Sequence, residues 1–320
     1  MSTPGSSYDE AVAATSSPSA ATAMAQTGGD YRMATLPDGR EVEYLVEGDP
    51  EGFPLVFHHG TPGAAVPYPR VARAAADRGL ALVVASRPGY GASTALPNRT
   101  IGDIAQDIAG VLDDMGCQEF ITLGWSGGGP HALACAATLP DRCRAAAVGA
   151  GVAPFRADGL NFFEGMGQDN IVEYTAALAG RHALRPLLES EAAKFDAVSI
   201  EQVADALGDL ASPADKAYAT GEFASRLLAS INRGLTHGVD GWLDDDFAFT
   251  QHWGFDLADI TVPVSIWHGT ADWTIPFAHG KWLAAHVPGA VAHLYDNEGH
   301  LSLWSEVEVI FDDLINQAGL

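Results

Sequence analysis

Apolar residues in this chain fall into short unbroken runs, separated by stretches where they return every three or four positions. The first periodic signal is a hairpin: "YRMATLP", the turn "DG", then "REVEYLVEG" with alternating character. After it, "PLVFHHG" (Pro54–Gly60) predicts a strand, Val71–Arg78 an Ala-rich helix, and "LALVVASRPG" (Leu80–Gly89) another strand. Ile101, Ile104, Ala105, Ile108, Val111, Leu112 and Met115 then recur at helical spacing. "EFITLGW" predicts the next strand, residues 131–139 a helix, and "RAAAVGAG" a further strand. Strands that are apolar throughout and alternate with helices belong to an α/β fold with a mostly parallel sheet, covered by helices on both faces.

The alternation stops near Pro154 and resumes at "VPVSIWHG" (Val262–Gly269). Between them the composition is helical, as in "EYTAALAG" and "SIEQVADALGDL". A structureless loop of that length is uncommon inside a compact domain, so a helical insert is expected over residues 154–253. The core is then residues 30–153 and 254–320, closed by the strand "AVAHLYDN" and the amphipathic helix "SEVEVIFDDLINQ". Residues 1–29 are rich in Ser, Ala, Thr and Gly, with neither the basic start nor the apolar run of a secretory signal. They are expected to be a disordered tail.

Composition narrows the partners. Acidic residues outnumber basic ones 41 to 17, a formal charge of −24, which disfavours nucleic acid and anionic membranes through long-range repulsion. No apolar run approaches the roughly 18–20 residues that span a bilayer. Cys117, Cys135 and Cys143 are too few and unpatterned for a disulfide framework or a zinc site, as expected of core residues in a cytoplasmic protein. The expected partner is a small-molecule substrate.

The candidate chemistry begins at "GWSGG" (Gly124–Gly128), a G-x-S-x-G pattern between a predicted strand and helix. Such a turn forces Ser126 into a sparsely populated backbone region and crowds the positions two before and two after, hence the glycines. "GWSGGG" lacks the lysine of a P-loop. A serine hydroxyl needs a base, and the base a carboxylate to hold its tautomer. In α/β sheets the useful partners follow strand ends. His300, after the last strand in "DNEGHLSLW", is the candidate base, and Asp272, in "WHGTADWTIP", the candidate carboxylate. His279, His286 and His293 are expected to be packed or solvated, and His59 and His131 to be structural. The amide of Gly127 and that of Thr61, in "HHGTPG", are candidate oxyanion donors. The run Asp244–Asp246 is expected to be solvated surface.

Taken in order, "HHGTPG", "SRPGYGAS", "GWSGG", "WHGTADWTIP" and "EGHLSL" make the chain resemble the α/β-hydrolase superfamily over roughly residues 30–318. It is most similar to the capped branch that includes proline-iminopeptidase-like, haloperoxidase-like and carbon–carbon bond hydrolases. The resemblance implies an eight-stranded core sheet, a cap over the site at about Pro154–Trp253, and a catalytic set of Ser126, Asp272 and His300. Epoxide hydrolases and haloalkane dehalogenases have an aspartate where this chain has Ser126, and "HHGTPG" departs from the "HGGPG" usual in proline iminopeptidases. No metal cluster stands out, so no cofactor is implied. The expected function is hydrolysis of a carboxylic ester, lactone, thioester or amide through an acyl-enzyme. The alternatives are a lyase or carbon–carbon bond hydrolase using the same residues for acid–base chemistry, an aminopeptidase of the proline-iminopeptidase type, or a receptor that keeps the fold.

Overall fold

The computed structural model describes residues 29–320, so the tail expected over residues 1–29 lies, apart from Gly29, outside the described residues. In chain order the strands are β1 (Arg32–Thr35), β2 (Glu41–Gly48), β3 (Phe53–His58), β4 (Leu80–Ala85), β5 (Phe120–Trp125), β6 (Cys143–Gly149), β7 (Val264–Gly269) and β8 (Val291–Tyr295). The first helices are α1 (Pro69–Ala76), α2 (Ile104–Asp114) and α3 (Gly129–Thr138). Between β6 and β7 come α4 (Gln168–Ala179), α5 (Arg181–Phe195), α6 (Val203–Ala206), α7 (Pro213–Tyr218), α8 (Gly221–Gly234) and α9 (Asp240–Thr250). The last two are α10 (Phe277–His286) and α11 (Val307–Ala318).

All eight strands form one sheet in the order β1-β2-β4-β3-β5-β6-β7-β8. The β1–β2 hairpin is antiparallel, and β2 also runs antiparallel to β4. Every later pairing is parallel. The apolar runs explain this: β4, "LALVVA", is buried at all six positions. Val83 packs in one apolar cluster with residues of α2, α3 and α10, while Leu82 and Val84 pack in another with residues of α1 and α11. Each fully buried aliphatic side chain of this kind stabilises the fold by about 1.5–3 kcal/mol. β8 differs, because it pairs only with β7 and leaves Val291 and Leu294 exposed at the sheet edge.

Because β3 to β8 are parallel, the segments after β3, β5, β7 and β8 gather at one edge of the sheet. That edge brings Gly60–Thr61, Ser126, Asp272 and His300 within reach of one another. Among the described residues no helix is long and apolar enough to cross a membrane.

The helices between β6 and β7 depart from expectation in two places. "SIEQVADALGDL" is a 3₁₀ turn, Ile200–Gln202, followed by the single turn of α6, and Gly208 ends it at φ 56°. The run Asp244–Asp246 is not solvated: these residues are 3%, 0% and 3% exposed. Residues 242, 245, 246 and 249 share one helical face. That face is turned inward, with Arg87 and Arg99 of the core paired to Asp245 and Arg181 of α5 to Asp244, the partners that make these buried carboxylates tolerable.

Candidate active site

Ser126 follows β5 with φ 55°, a left-handed conformation that an ordinary side chain adopts at a cost of roughly 1–3 kcal/mol. The neighbouring glycines permit it. A Cβ on Gly124 would lie 2.1 Å from the carbonyl oxygen of Gly128, and one on Gly128 would lie 2.1 Å from that of His58. His131, one turn into α3, fastens the elbow with Nδ1 2.8 Å from the Gly127 carbonyl. Burial and nearby Arg87 hold its imidazole neutral, and Nδ1–H is the donor.

Asp272 and His300 meet as their positions after β7 and β8 suggested. His300 Nδ1 is 2.9 Å from Asp272 Oδ2, and Oδ1 accepts the Ile275 amide at 2.8 Å. His268 Nε2 lies 3.3 Å from the same Oδ2 and 2.8 Å from the Ile275 carbonyl. Burial alone would raise the Asp272 carboxyl, but His300 and His268 outweigh it and hold the group down at about 2. For His300, burial favours the neutral ring, yet Asp272 prevails and raises the imidazole above its ordinary value.

Ser126, Gly127, Thr61 and His300 all line one cavity of about 270 Å³, near the lower end of the ligand-pocket range of roughly 300–1,000 Å³. Among the described residues no direct hydrogen bond links Ser126 to His300; catalytic hydrogen bonds often tighten only around substrate. A base must be neutral to act, so with His300 in the role expected of it the raised pKa moves the loss of activity toward higher pH. The acid limb of kcat/KM is therefore expected to have its midpoint above the ordinary histidine value of about 6.5. A measured midpoint well below 6.5 would remove His300 from the role of base.

The loop carrying Thr61 is held from beneath by a buried charge network that sequence reasoning missed. Arg87, directly past β4, reaches the His59 carbonyl, the Gly60 carbonyl at 2.9 Å and Thr61 Oγ1 at 2.8 Å. Asp245 of α9 receives Arg87 at 2.6 Å, Arg99 at 2.6 Å, Thr61 Oγ1 at 2.7 Å and the Tyr90 hydroxyl at 3.0 Å. Burial opposes ionisation of Asp245, but Arg87 and Arg99 overcome it and keep the carboxylate far below its usual range. His59 has the structural place expected of it, with Nδ1 2.8 Å from the Gly60 carbonyl. The strand-end position of Arg87 was the available signal.

Trp125, Trp242 and Phe249 line the cavity, whereas Phe162, Phe163 and Met166 pack in the apolar core and Trp273 is 43% exposed. Four acidic residues, Asp169, Glu173, Glu191 and Asp246, border the cavity beside neutral Asn170, Ser230 and Thr274, with no Lys or Arg among the described lining residues. Glu173 accepts Trp242 Nε1 at 2.8 Å. Burial raises the carboxyls of both Glu173 and Asp246, and the nearness of Glu173 pushes Asp246 further. Among the described residues no three His, Cys, Asp or Glu side chains converge as a metal site.

The chain belongs to the alpha/beta hydrolase fold family, whose sequence model matches residues 54–307. It is 25% identical over 284 residues to a non-heme chloroperoxidase of Streptomyces lividans, covering 88% of this chain and 97% of that protein. It is 27% identical over 261 residues to a 2-hydroxymuconate semialdehyde hydrolase of Pseudomonas putida, covering 81% and 83% respectively. An esterase structure from Rhodococcus superposes with a TM-score of 0.61 at 22% identity, covering 89% of this chain and 98% of the other, a likeness of fold.

Proposed function

We propose that this hydrolase cleaves carboxylic esters of small neutral or cationic molecules through an acyl-enzyme. The observation that carries the reading is the Asp272–His300 pair at 2.9 Å, opening on the same cavity as the strained Ser126. Ser126 Oγ attacks the carbonyl carbon while His300 Nε2 takes its proton. The oxyanion is received by the amides of Gly127 and Thr61. The ester C–O bond then breaks, with His300 returning the proton to the leaving alcohol. Water, activated by His300, repeats the sequence on the acyl-Ser126 and frees the acid. Asp272 keeps the hydrogen on Nδ1 and stabilises the imidazolium. Residues 154–253 act as a cap that shapes the cavity and excludes water.

Charge separates the alternatives. A 2-hydroxymuconate derivative carries a carboxylate, and the described cavity wall has no Lys or Arg to receive one, while Glu173 and Asp246 are held toward their neutral form by burial. The carbon–carbon hydrolase reading is disfavoured on that ground. Asp169 and Glu191 on the same wall suit a protonated amine, so aminoacyl esters and amides are the second substrate class.

The test is a set of p-nitrophenyl esters matched in acyl length, one neutral, one aminoacyl and one ending in a carboxylate, with Ser126→Ala as blank. The neutral or aminoacyl ester is expected to exceed the anionic one in kcat/KM by at least about tenfold, the size of one unfavourable contact of about 1.4 kcal/mol. Preference for the anionic ester would overturn the substrate reading.

A further inference from the structure

The cap side of the molecule reaches the base itself. Asp215 lies in the first turn of α7, where Ser212 and Asp215 cap the helix reciprocally, but its carboxylate does more than close that turn. Oδ2 accepts the His300 amide at 3.1 Å, and Oδ1 accepts the amides of Leu301 at 2.6 Å and Ser302 at 2.9 Å. Asp215 is fully buried. Three consecutive main-chain N–H groups of the β8–α11 loop therefore converge on one side chain from a segment about 85 residues away in sequence. Gly299 makes the approach possible, since a Cβ there would lie 2.4 Å from both Asp215 oxygens. On the opposite side Trp125 Nε1 donates to the His300 carbonyl at 3.2 Å.

We propose that Asp215 is a positioning residue for the general base: it ties the His300 loop to the helical insert, so the insert sets the place of the base as well as the shape of the pocket. The proposal rests on the reading of His300 as base. Trp125 and Asp272 also hold His300, but among the described residues Asp215 is the one tie from the insert to the main-chain amides of this loop. A displacement of about 1 Å at a reacting group can cost 10²-fold in rate. Two charged groups face the His300 ring and main chain, Asp272 at Nδ1 and Asp215 at the amide, with His268 on the far side of Asp272. Both carboxylates favour the imidazolium, so losing the charge of Asp215 moves the acid limb to lower pH.

The test compares the full-length wild type with Asp215→Asn, which keeps the volume and one acceptor, and Gly299→Ala, which crowds Asp215 from the loop side. Rates on p-nitrophenyl acetate and butyrate are normalised to folded chain by circular dichroism at the assay temperature. The expected result for both variants is kcat lower by about 10- to 100-fold, by the same factor on both esters and with KM little changed. In Asp215→Asn the acid limb of the pH profile also shifts down. His300→Ala separates the two levels of inference: if fluorophosphonate labels it at the wild-type rate, the base assignment fails and the proposal falls with it. If His300→Ala labels slowly while folded Asp215→Asn keeps wild-type kcat and acid limb, the proposal alone is overturned. A purely structural role for Asp215 would lower the melting temperature and leave kcat per folded chain and the acid limb unmoved, which also overturns it.

Discussion

Turnover by an Asp272→Asn variant is expected to fall by about 10⁴-fold while the fold persists. The geometry gives the reason. Asp272 uses Oδ1 for the Ile275 amide and Oδ2 for His300 Nδ1. An asparagine has one oxygen for these two donors. With that oxygen kept on the Ile275 amide, its NH₂ faces His300 Nδ1, which must then accept. The ring hydrogen moves to Nε2, the atom that has to remove the proton of Ser126. Flipping the amide instead sets its NH₂ against the Ile275 N–H. Only the flipped orientation keeps the hydrogen on Nδ1, and the clash of two donors disfavours it, so the productive tautomer is rarely populated; 10⁴-fold corresponds to about 5.4 kcal/mol of transition-state stabilisation. Steady-state kcat, read beside the thermal midpoint, checks this. A folded variant within tenfold of wild type would mean that the tautomer of His300 does not depend on Asp272.

The second large effect is on stability. Removing the carboxylate in Asp245→Ala is expected to destabilise the protein by about 3–5 kcal/mol, the cost of leaving buried charge without its partner. Arg87 and Arg99 each lie 2.6 Å from Asp245, and these three side chains are at most 2% exposed. Arg87 therefore loses its carboxylate, and Arg99 is left with the longer contact to Asp244 at 3.7 Å. Thr61 loses its hydroxyl partner and the β3–α1 loop loses its link to α9, so the molecules that do fold should also turn over more slowly. Urea denaturation measures the loss as a lower midpoint at constant slope. A change under about 1 kcal/mol would show that the network does not stabilise the fold by charge pairing.

These residues mark where sequence reading succeeds and where it stops. The sheet was legible because parallel strands are buried on both faces and so are apolar without alternation, as in Leu80–Ala85. The elbow was legible because its sterics exclude side chains at Gly124 and Gly128 whatever lies around them. Asp272 and His300 followed from chain direction alone: a residue just past a parallel strand stands at the carboxyl edge.

Asp245 was misread because three consecutive carboxylates say nothing about arginines some 150 residues earlier in the chain. Its spacing from Trp242 and Phe249, three before and four after, was the one local sign that it faces inward. Asp215 is a similar case. "SPAD" announces a helix start, but nothing in those four residues reports that the same carboxylate gathers the amides of His300, Leu301 and Ser302. The acidic wall of the cavity was equally hidden, since Asp169, Glu173, Glu191 and Asp246 come from three helices.

Nucleophilic attack by Ser126 is tested most directly by rapid-quench mass spectrometry on an ester that the wild-type protein turns over. One acyl mass per chain should appear before steady state, peptide mapping should place it on Ser126, and Ser126→Ala should carry none. His300→Ala should acylate far more slowly, because a serine hydroxyl without a base is a weak nucleophile. Turnover of the same ester with no adduct, at a time resolution sufficient to see one, or an adduct on any residue other than Ser126, would contradict covalent catalysis by this serine.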